Sequence, residues 1–160
     1  MAVVKVGMAD LNVCKHPDSI TTLGLGSCVG IALYDPVSKV GGLAHVMLPD
    51  STQMRNNQNV AKFADTGIDA LINKMVKAGA NKSKLVAKIA GGAKMFEASG
   101  LSGIGNIGER NAEMAAIKLK SLGIPLKAKD VGLNYGRTVE LDTATGDFLI
   151  KSVGKPVKKI

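Results

Sequence analysis

The stretch Cys28-Val29-Gly30-Ile31-Ala32-Leu33-Tyr34-Asp35-Pro36-Val37-Ser38-Lys39-Val40-Gly41-Gly42-Leu43-Ala44-His45-Val46-Met47-Leu48 reads as two apolar runs around one turn. Short apolar runs bounded by turn residues are the pattern of buried strands, and Pro36 at the second position of Asp35-Pro36-Val37-Ser38 suits a type I turn closing a hairpin. With Tyr34 set against Lys39, the register carries Cys28 to a position opposite His45. Directly opposed residues of an antiparallel pair have α-carbons ~4.5 to 5.5 Å apart and project from one face. A thiol and an imidazole placed there can touch, whereas a slip of one residue would send them to opposite faces.

Working outward, Val3 to Val6 and Ser19 to Leu23 read as short strands before the hairpin. From Val60 to Lys77, the apolar residues Val60, Phe63, Ala64, Ile68, Leu71, Ile72, Met75 and Val76 recur at spacings of three and four, which predicts a helix ended by Gly79. Leu85 to Ala90 reads as a buried strand stopped by Gly91-Gly92, and Ile107 to Leu122 as a second helix. Ile124 to Val131, Arg137 to Leu141 and Phe148 to Val153 follow as strands, the last two joined by a turn at Thr143-Ala144-Thr145-Gly146. Residues Asp50 to Asn59 are polar and unpatterned, hence an exposed loop beside the histidine strand. Strand pairs with tight turns dominate both ends, so the expected class is α+β with mixed or antiparallel sheets and two main helices.

The 160 residues are expected to form a single domain over 1–160, with a basic, flexible tail at about 154–160. Neither an 18-residue apolar run nor a signal-peptide core is found, so the expectation is a cytoplasmic protein that does not insert into membranes. Cys14 and Cys28 are the two cysteines, without a Cys-x-x-Cys pair or histidine cluster to hold zinc, and a reducing compartment disfavours a disulfide between them. Cys14 is placed in a loop or at a strand end with no chemical duty, and His16 beside it is a poor metal partner. The net charge of +8 comes mostly from dispersed lysines, with Arg55, Arg110 and Arg137 the only arginines and 3% aromatic residues. That pattern is weak evidence for nucleic acid, which calls for a concentrated basic face with arginines or stacking aromatics; a solvated lysine surface is the leading reading, and long-range attraction of an acidic protein partner is the functional alternative.

Three motifs invite chemistry. Gly24, Gly26 and Gly30 clear side chains from around Cys28, so a substrate carboxamide can approach Gly24-Leu25-Gly26-Ser27-Cys28 and backbone N–H groups near Ser27 can serve an oxyanion. The competing reading is a tight turn around an inert buried cysteine. His45, amid apolar neighbours, is by itself more often a hydrogen-bonded core residue; opposite Cys28 it can instead form an ion pair that lowers the thiol pKa, and act as general acid. Thr22 is the candidate to orient the imidazole through its hydroxyl, with Thr21 and Ser27 as rivals.

The second motif, Gly103-Ile104-Gly105-Asn106-Ile107-Gly108, matches G-x-G-x-x-G, and Asp130 ends a later strand. Because Phe96 to Ser102 makes a poor strand, a glycine-rich loop feeding a helix is the better reading. The third, Ala90-Gly91-Gly92-Ala93-Lys94-Met95-Phe96, ends in a methionine and an aromatic that together are a candidate partner-binding anchor, although Phe96 folding back onto the core is the favoured reading.

Four segments together resemble the CheD family of chemoreceptor glutamine deamidases: Thr22-Leu23-Gly24-Leu25-Gly26-Ser27-Cys28, Ala44-His45-Val46-Met47-Leu48-Pro49-Asp50-Ser51, Lys88-Ile89-Ala90-Gly91-Gly92-Ala93 with Met95-Phe96, and Asn106-Ile107-Gly108 with Arg110-Asn111. The resemblance implies a nucleophilic Cys28, a catalytic His45 and a supporting Thr22, and a sandwich of mixed sheets flanked by helices similar to the catalytic domain of the cytotoxic necrotizing factor toxins. It implies hydrolysis of receptor glutamines to glutamate through a thioester, with no cofactor and no metal, and a partner in the phosphatase CheC. The nearest alternatives are a receptor glutamyl methylesterase and a non-catalytic regulator of CheC.

Overall fold

A computed structural model describes residues 1–53, 55–95 and 106–160. Among these residues the strands are β1 (Val3–Val6), β2 (Asp10–Lys15), β3 (Ser19–Leu25), β4 (Val29–Asp35), β5 (Val40–Val46), β6 (Val86–Gly91), β7 (Leu126–Val131), β8 (Arg137–Asp142), β9 (Phe148–Lys151) and β10 (Lys158–Lys159). The helices are α1 (Ala64–Lys77) and α2 (Ile107–Ser121). One five-stranded sheet has the order β1-β3-β8-β9-β10, with β1 and β3 parallel; the other has the order β2-β5-β4-β6-β7, with β6 and β7 parallel. The expected α+β sandwich of mixed sheets with two flanking helices is what forms.

Strands β4 and β5 are buried along their whole length, because each has a core on both faces. Val29, Ile31, Leu33, Ala44 and Val46 pack against Ile68, Leu71, Ile72 and Met75 of α1 and Ala115 and Leu119 of α2. The opposite faces give Cys28, Ala32 and Leu43 to a second core with Leu25, Val139, Leu141 and Phe148 of the other sheet. This is why both strands read as near-continuous apolar runs and not as alternations. Glycines Gly41 and Gly42 allow the tight layering: a Cβ on Gly41 would lie 2.9 Å from Leu141, and one on Gly42 2.8 Å from Leu71.

The hairpin register differs from the one expected. Asp35 pairs with Val40 and Tyr34 with Gly41, so His45 stands opposite Gly30 and not Cys28. The cause is Asp35, which ends the strand instead of opening the turn. Its Oδ1 accepts from the Val37 and Ser38 amides (2.9 and 3.2 Å), its Oδ2 accepts from Asn81 N–H (2.8 Å), and its carbonyl accepts from Lys39 N–H (2.8 Å). With Lys39 left-handed at φ 57°, four residues form the loop. The slip is two residues along the pairing, and an even slip preserves the face. Cys28 and His45 therefore stay on one side of the sheet, as diagonal neighbours.

Other departures have local causes. The first helix starts at Ala64 and not Val60, since Phe63 is extended (φ −112°) and wholly buried, bridging Leu48, while Val60–Lys62 form a separate 3-10 turn capped by Asn59. Cys14 lies within β2, an unanticipated strand along β5. Both cysteines are free thiols. The end of the chain, read above as a tail, pairs as β10 with β9, and the Ile160 carbonyl accepts from Lys88 Nζ (2.8 Å).

Gly91 shows how closely β6 approaches the segment before β4. Its φ is +109°, and a Cβ there would lie 2.3 Å from the Cys28 carbonyl oxygen. Replacing Gly91 with alanine is expected to cost about 2–4 kcal/mol from left-handed strain plus overpacking, read as a lower urea midpoint with an unchanged slope.

Candidate active site

The site forms where the two sheets face each other. Between the end of β3 and the start of β4 the chain bends through Gly26-Ser27-Cys28, and this bend is held from behind: Ala93 N–H donates to the Gly26 carbonyl and Gly92 N–H to the Cys28 carbonyl, both at 2.9 Å. Cys28 is 8% exposed, His45 1% and Thr22 0%, so of the three Cys28 alone keeps more than a trace of contact with solvent. Gly26 and Ser27 are half-buried on the bend.

Thr22, on β3 of the opposite sheet, meets the imidazole at 2.7 Å between Oγ1 and Nδ1. The direction of that bond follows from a second one. Thr22 Oγ1 lies 2.7 Å from the Val6 carbonyl, which can only accept, so the hydroxyl proton is committed to Val6. Thr22 must then accept from His45, which places the neutral ring's proton on Nδ1 and leaves Nε2 with a bare lone pair. That Nε2 is buried and has no hydrogen-bond partner among the described residues. Thr21, the rival, donates to the Val139 carbonyl at 2.6 Å and does not meet the ring. Ser27 is joined to the site through its carbonyl, which accepts from Asn111.

The electrostatics differ from the ion pair expected from sequence. Burial pushes the Cys28 thiol pKa above its ordinary value, opposed by the residue's own backbone N–H, which favours the thiolate. Burial likewise pushes the His45 pKa down. Both shifts favour the neutral pair, thiol and imidazole, over thiolate and imidazolium. The resting site thus holds a proton donor in Cys28 and an acceptor in His45 Nε2 on one face. Alkylation of Cys28 by iodoacetamide is therefore expected to keep accelerating as pH rises above about 9.5, where an ordinary thiol of pKa about 8.5 levels off. A rate flat from about pH 6 upward would mean a preformed thiolate. Cys14 offers little competition, its pKa pushed up to about 11 by burial and by the Asp18 carboxylate.

The remaining expected positions separate. Gly24 sits in the irregular stretch of β3 between Thr22 and Leu25, with φ +72° and nothing within 4 Å of a built Cβ, so it shapes the bend. Met95 is 44% exposed, and its Cγ would be 3.2 Å from a Cβ on Gly26, which puts it at the rim of the bend. Phe96, Gly103 and Gly105 lie outside the described residues. Asp130 is engaged by Arg137 Nε and Lys158 Nζ, each at 3.4 Å, which leaves no free carboxylate for a ribose. No group of three or more His, Cys, Asp or Glu placed to hold a metal is found among the described residues, and none of their helices is long and apolar enough to cross a membrane.

One residue to which the sequence reading gave no role belongs here. Asn111, quoted above only beside Arg110 in the family resemblance, is wholly buried and donates to the carbonyls of Ser27 and Met47. Its polarity on a buried helix face was the available signal.

Known proteins resemble this chain over most of its length. The family model CheD, described as chemotactic sensory transduction, matches residues 47–152. A protein of Lachnoclostridium phytofermentans named "Probable chemoreceptor glutamine deamidase CheD" is 64% identical over 157 residues, 98% of each chain. Proteins of the same name from Caldanaerobacter subterraneus subsp. tengcongensis and Clostridium botulinum are 54% and 55% identical, covering 99% and 98% of this chain and 98% and 97% of theirs. The Bacillus licheniformis hypothetical protein YfiH overlaps 72% of this chain and 47% of its own with a TM-score of 0.41 at 15% identity, a partial overlap that says nothing of chemistry. On the family model and these near full-length relatives, the chain belongs to the CheD family.

Proposed function

We propose that this chain hydrolyses glutamine side chains of chemoreceptors to glutamate, with Cys28 as nucleophile, His45 as proton carrier and Thr22 as the group that holds the ring. The observation that carries the mechanism is the bare, buried Nε2 of His45 on the face it shares with Cys28, its tautomer fixed by Thr22. A histidine serving the core alone would have both nitrogens paired.

As the sulfur attacks the carboxamide carbon, its proton passes to Nε2. The oxyanion is met by backbone N–H groups of the bend at Ser27 and Cys28, whose carbonyl sides are tied back to Gly92 and Asn111. Imidazolium returns the proton to the departing nitrogen, ammonia leaves and a thioester remains. Water, losing a proton to Nε2, opens the thioester to glutamic acid and free thiol. Thr22 accepts from Nδ1–H throughout. Being neutral, it stabilises imidazolium less than a carboxylate would.

The substrate is an acidic helical receptor segment in the cytoplasm, drawn by a chain of net charge +8. The phosphatase CheC is the regulatory partner in this reading, and Met95 at the rim of the bend is a contact for either. Incubation with a receptor fragment tests it by mass: deamidation adds about one dalton at a glutamine, methyl-ester hydrolysis removes about fourteen at a glutamate ester. The expected change is the first. Loss of about fourteen would make the chain a methylesterase, and no change with altered CheC phosphatase activity would make it a binding module.

A further inference from the structure

Three successive carbonyls of the bend, those of Gly26, Ser27 and Cys28, accept hydrogen bonds from one neighbourhood. Ala93 and Gly92 amides take the outer two, and Asn111 Nδ2 takes Ser27 at 2.9 Å. The same Nδ2 lies 3.0 Å from the carbonyl of Met47, two residues beyond His45. One carboxamide nitrogen therefore joins the segment bearing the thiol to the strand bearing the imidazole. A side-chain NH2 has two donors, and here both find acceptors.

The amide's other end explains why the residue is not filler. Asn111 Oδ1 is buried with no partner among the described residues, an unfavourable state that an apolar side chain of equal size would avoid. The two donors are what offset it. Helix α2 reaches this place through glycine-to-glycine contact: a Cβ on Gly108 would lie 2.6 Å from backbone atoms of Gly92 and Ala93, and one on Gly92 2.7 Å from the Gly108 carbonyl. Asn111 lies one turn along the helix from Gly108, so that contact sets its reach.

We propose that Asn111 is a positioning residue, whose paired donors set the spacing between the Cys28 sulfur and His45 Nε2. The proposal rests on the Cys28–His45 reading above. Proton transfer between these atoms is steeply sensitive to distance, so releasing the clamp slows the chemical step while leaving the substrate's outer contacts in place.

The test compares Asn111→Leu and Asn111→Asp with the parent on a receptor fragment, full chain in each case. Expected for Asn111→Leu is a kcat lowered about 10- to 100-fold with KM within about twofold. Asn111→Asp is expected to match that loss at about pH 8, where a carboxylate faces two carbonyls, and to regain part of it relative to the parent at about pH 5.5, because full burial against two carbonyl oxygens favours the protonated carboxyl, which again has one hydrogen to donate. Cys28 and His45, the titratable groups on the two clamped segments, are common to variant and parent and divide out of that ratio. Glu109, Arg110 and Glu113 on the same helix are exposed. Where either variant does not fold, Asn111→Ser, which keeps one donor, is expected to give an intermediate kcat.

Parent-like kcat in the folded variants, a loss confined to KM, or a lowered unfolding temperature with unchanged kcat would overturn the proposal. The last result would make Asn111 a purely structural residue. Activity retained by Cys28→Ala would strike the underlying reading instead, and the clamp with it.

Discussion

Cys28→Ala is expected to lower deamidation of a receptor fragment by at least about 10³-fold, to the level of uncatalysed hydrolysis, because the reaction loses the atom that bonds to carbon. The fold should persist. The substitution removes one small side chain at an opening between layers, and an unfolding temperature within about 4 °C of the parent corresponds to about 1 kcal/mol or less for a chain of this size. The matched control is Cys14→Ala: that thiol lies in β2, 3.9 Å from the Asp18 carbonyl and away from the bend, and its loss should leave the rate unchanged. Rapid deamidation by Cys28→Ala, or its loss in Cys14→Ala, would end the assignment of the nucleophile. Cys28→Ser sharpens the test. A hydroxyl in the same place is a weaker nucleophile with a far higher pKa, so near-normal turnover by that variant would indicate direct attack by water assisted by His45.

How much of this could be read from residues alone divides along a physical line. Strands β4 and β5 were legible because burial on both faces leaves an unbroken apolar run, and α1 because its inner face repeats at helical spacing. The pairing of Cys28 with His45 on one face was also legible, yet by a register two residues out: the even slip kept the face, and an odd one would have lost the site. What sequence could not display were interactions whose acceptors are backbone carbonyls. Val6, whose carbonyl fixes the histidine tautomer through Thr22, and Ser27 and Met47, whose carbonyls hold Asn111, contribute no side chain to those bonds. The partners of Asn111 lie 84 and 64 residues away along the chain. Strand β2 gives a short signal, its alternation lasting only over Asp10-Leu11-Asn12-Val13, and β10 is only two residues long, held by pairing with β9 and not by its own pattern. The resting charge state is hidden from the sequence for a related reason. A cysteine beside a histidine suggests an ion pair, and only the burial of both, a property of the packed layers, reverses that preference.

His45→Gln is expected to lose about 10³-fold or more in kcat/KM, and Thr22→Val about 10- to 100-fold, the smaller loss because valine leaves the imidazole in place but without its acceptor. Thr22→Val also strands the buried Nδ1–H, at a cost of about 1–3 kcal/mol in stability. Thr22→Ser, which restores the hydroxyl, should recover most of both. Acid provides an independent check on the ring. In the folded chain burial holds the His45 pKa below the ordinary value of about 6.5, so as pH falls the unfolded chain takes up the proton first. Its contribution to stability is therefore present above about pH 6.5 and declines as pH falls below that value, until the folded imidazole also protonates. His45→Gln should remove this part of the acid dependence, seen as a smaller drop in urea midpoint between about pH 7 and about pH 5 than the parent shows. The same depressed pKa keeps Nε2 free to accept a proton at pH values where an exposed histidine would be charged, so the acid limb of kcat/KM is expected below about pH 6.5. A limb above that value would mean that a group other than a buried, neutral His45 receives the thiol proton. A Thr22→Val enzyme as slow as His45→Gln would mean that the hydroxyl does more than hold the ring, because a retained imidazole with a free Nε2 would then be insufficient by itself.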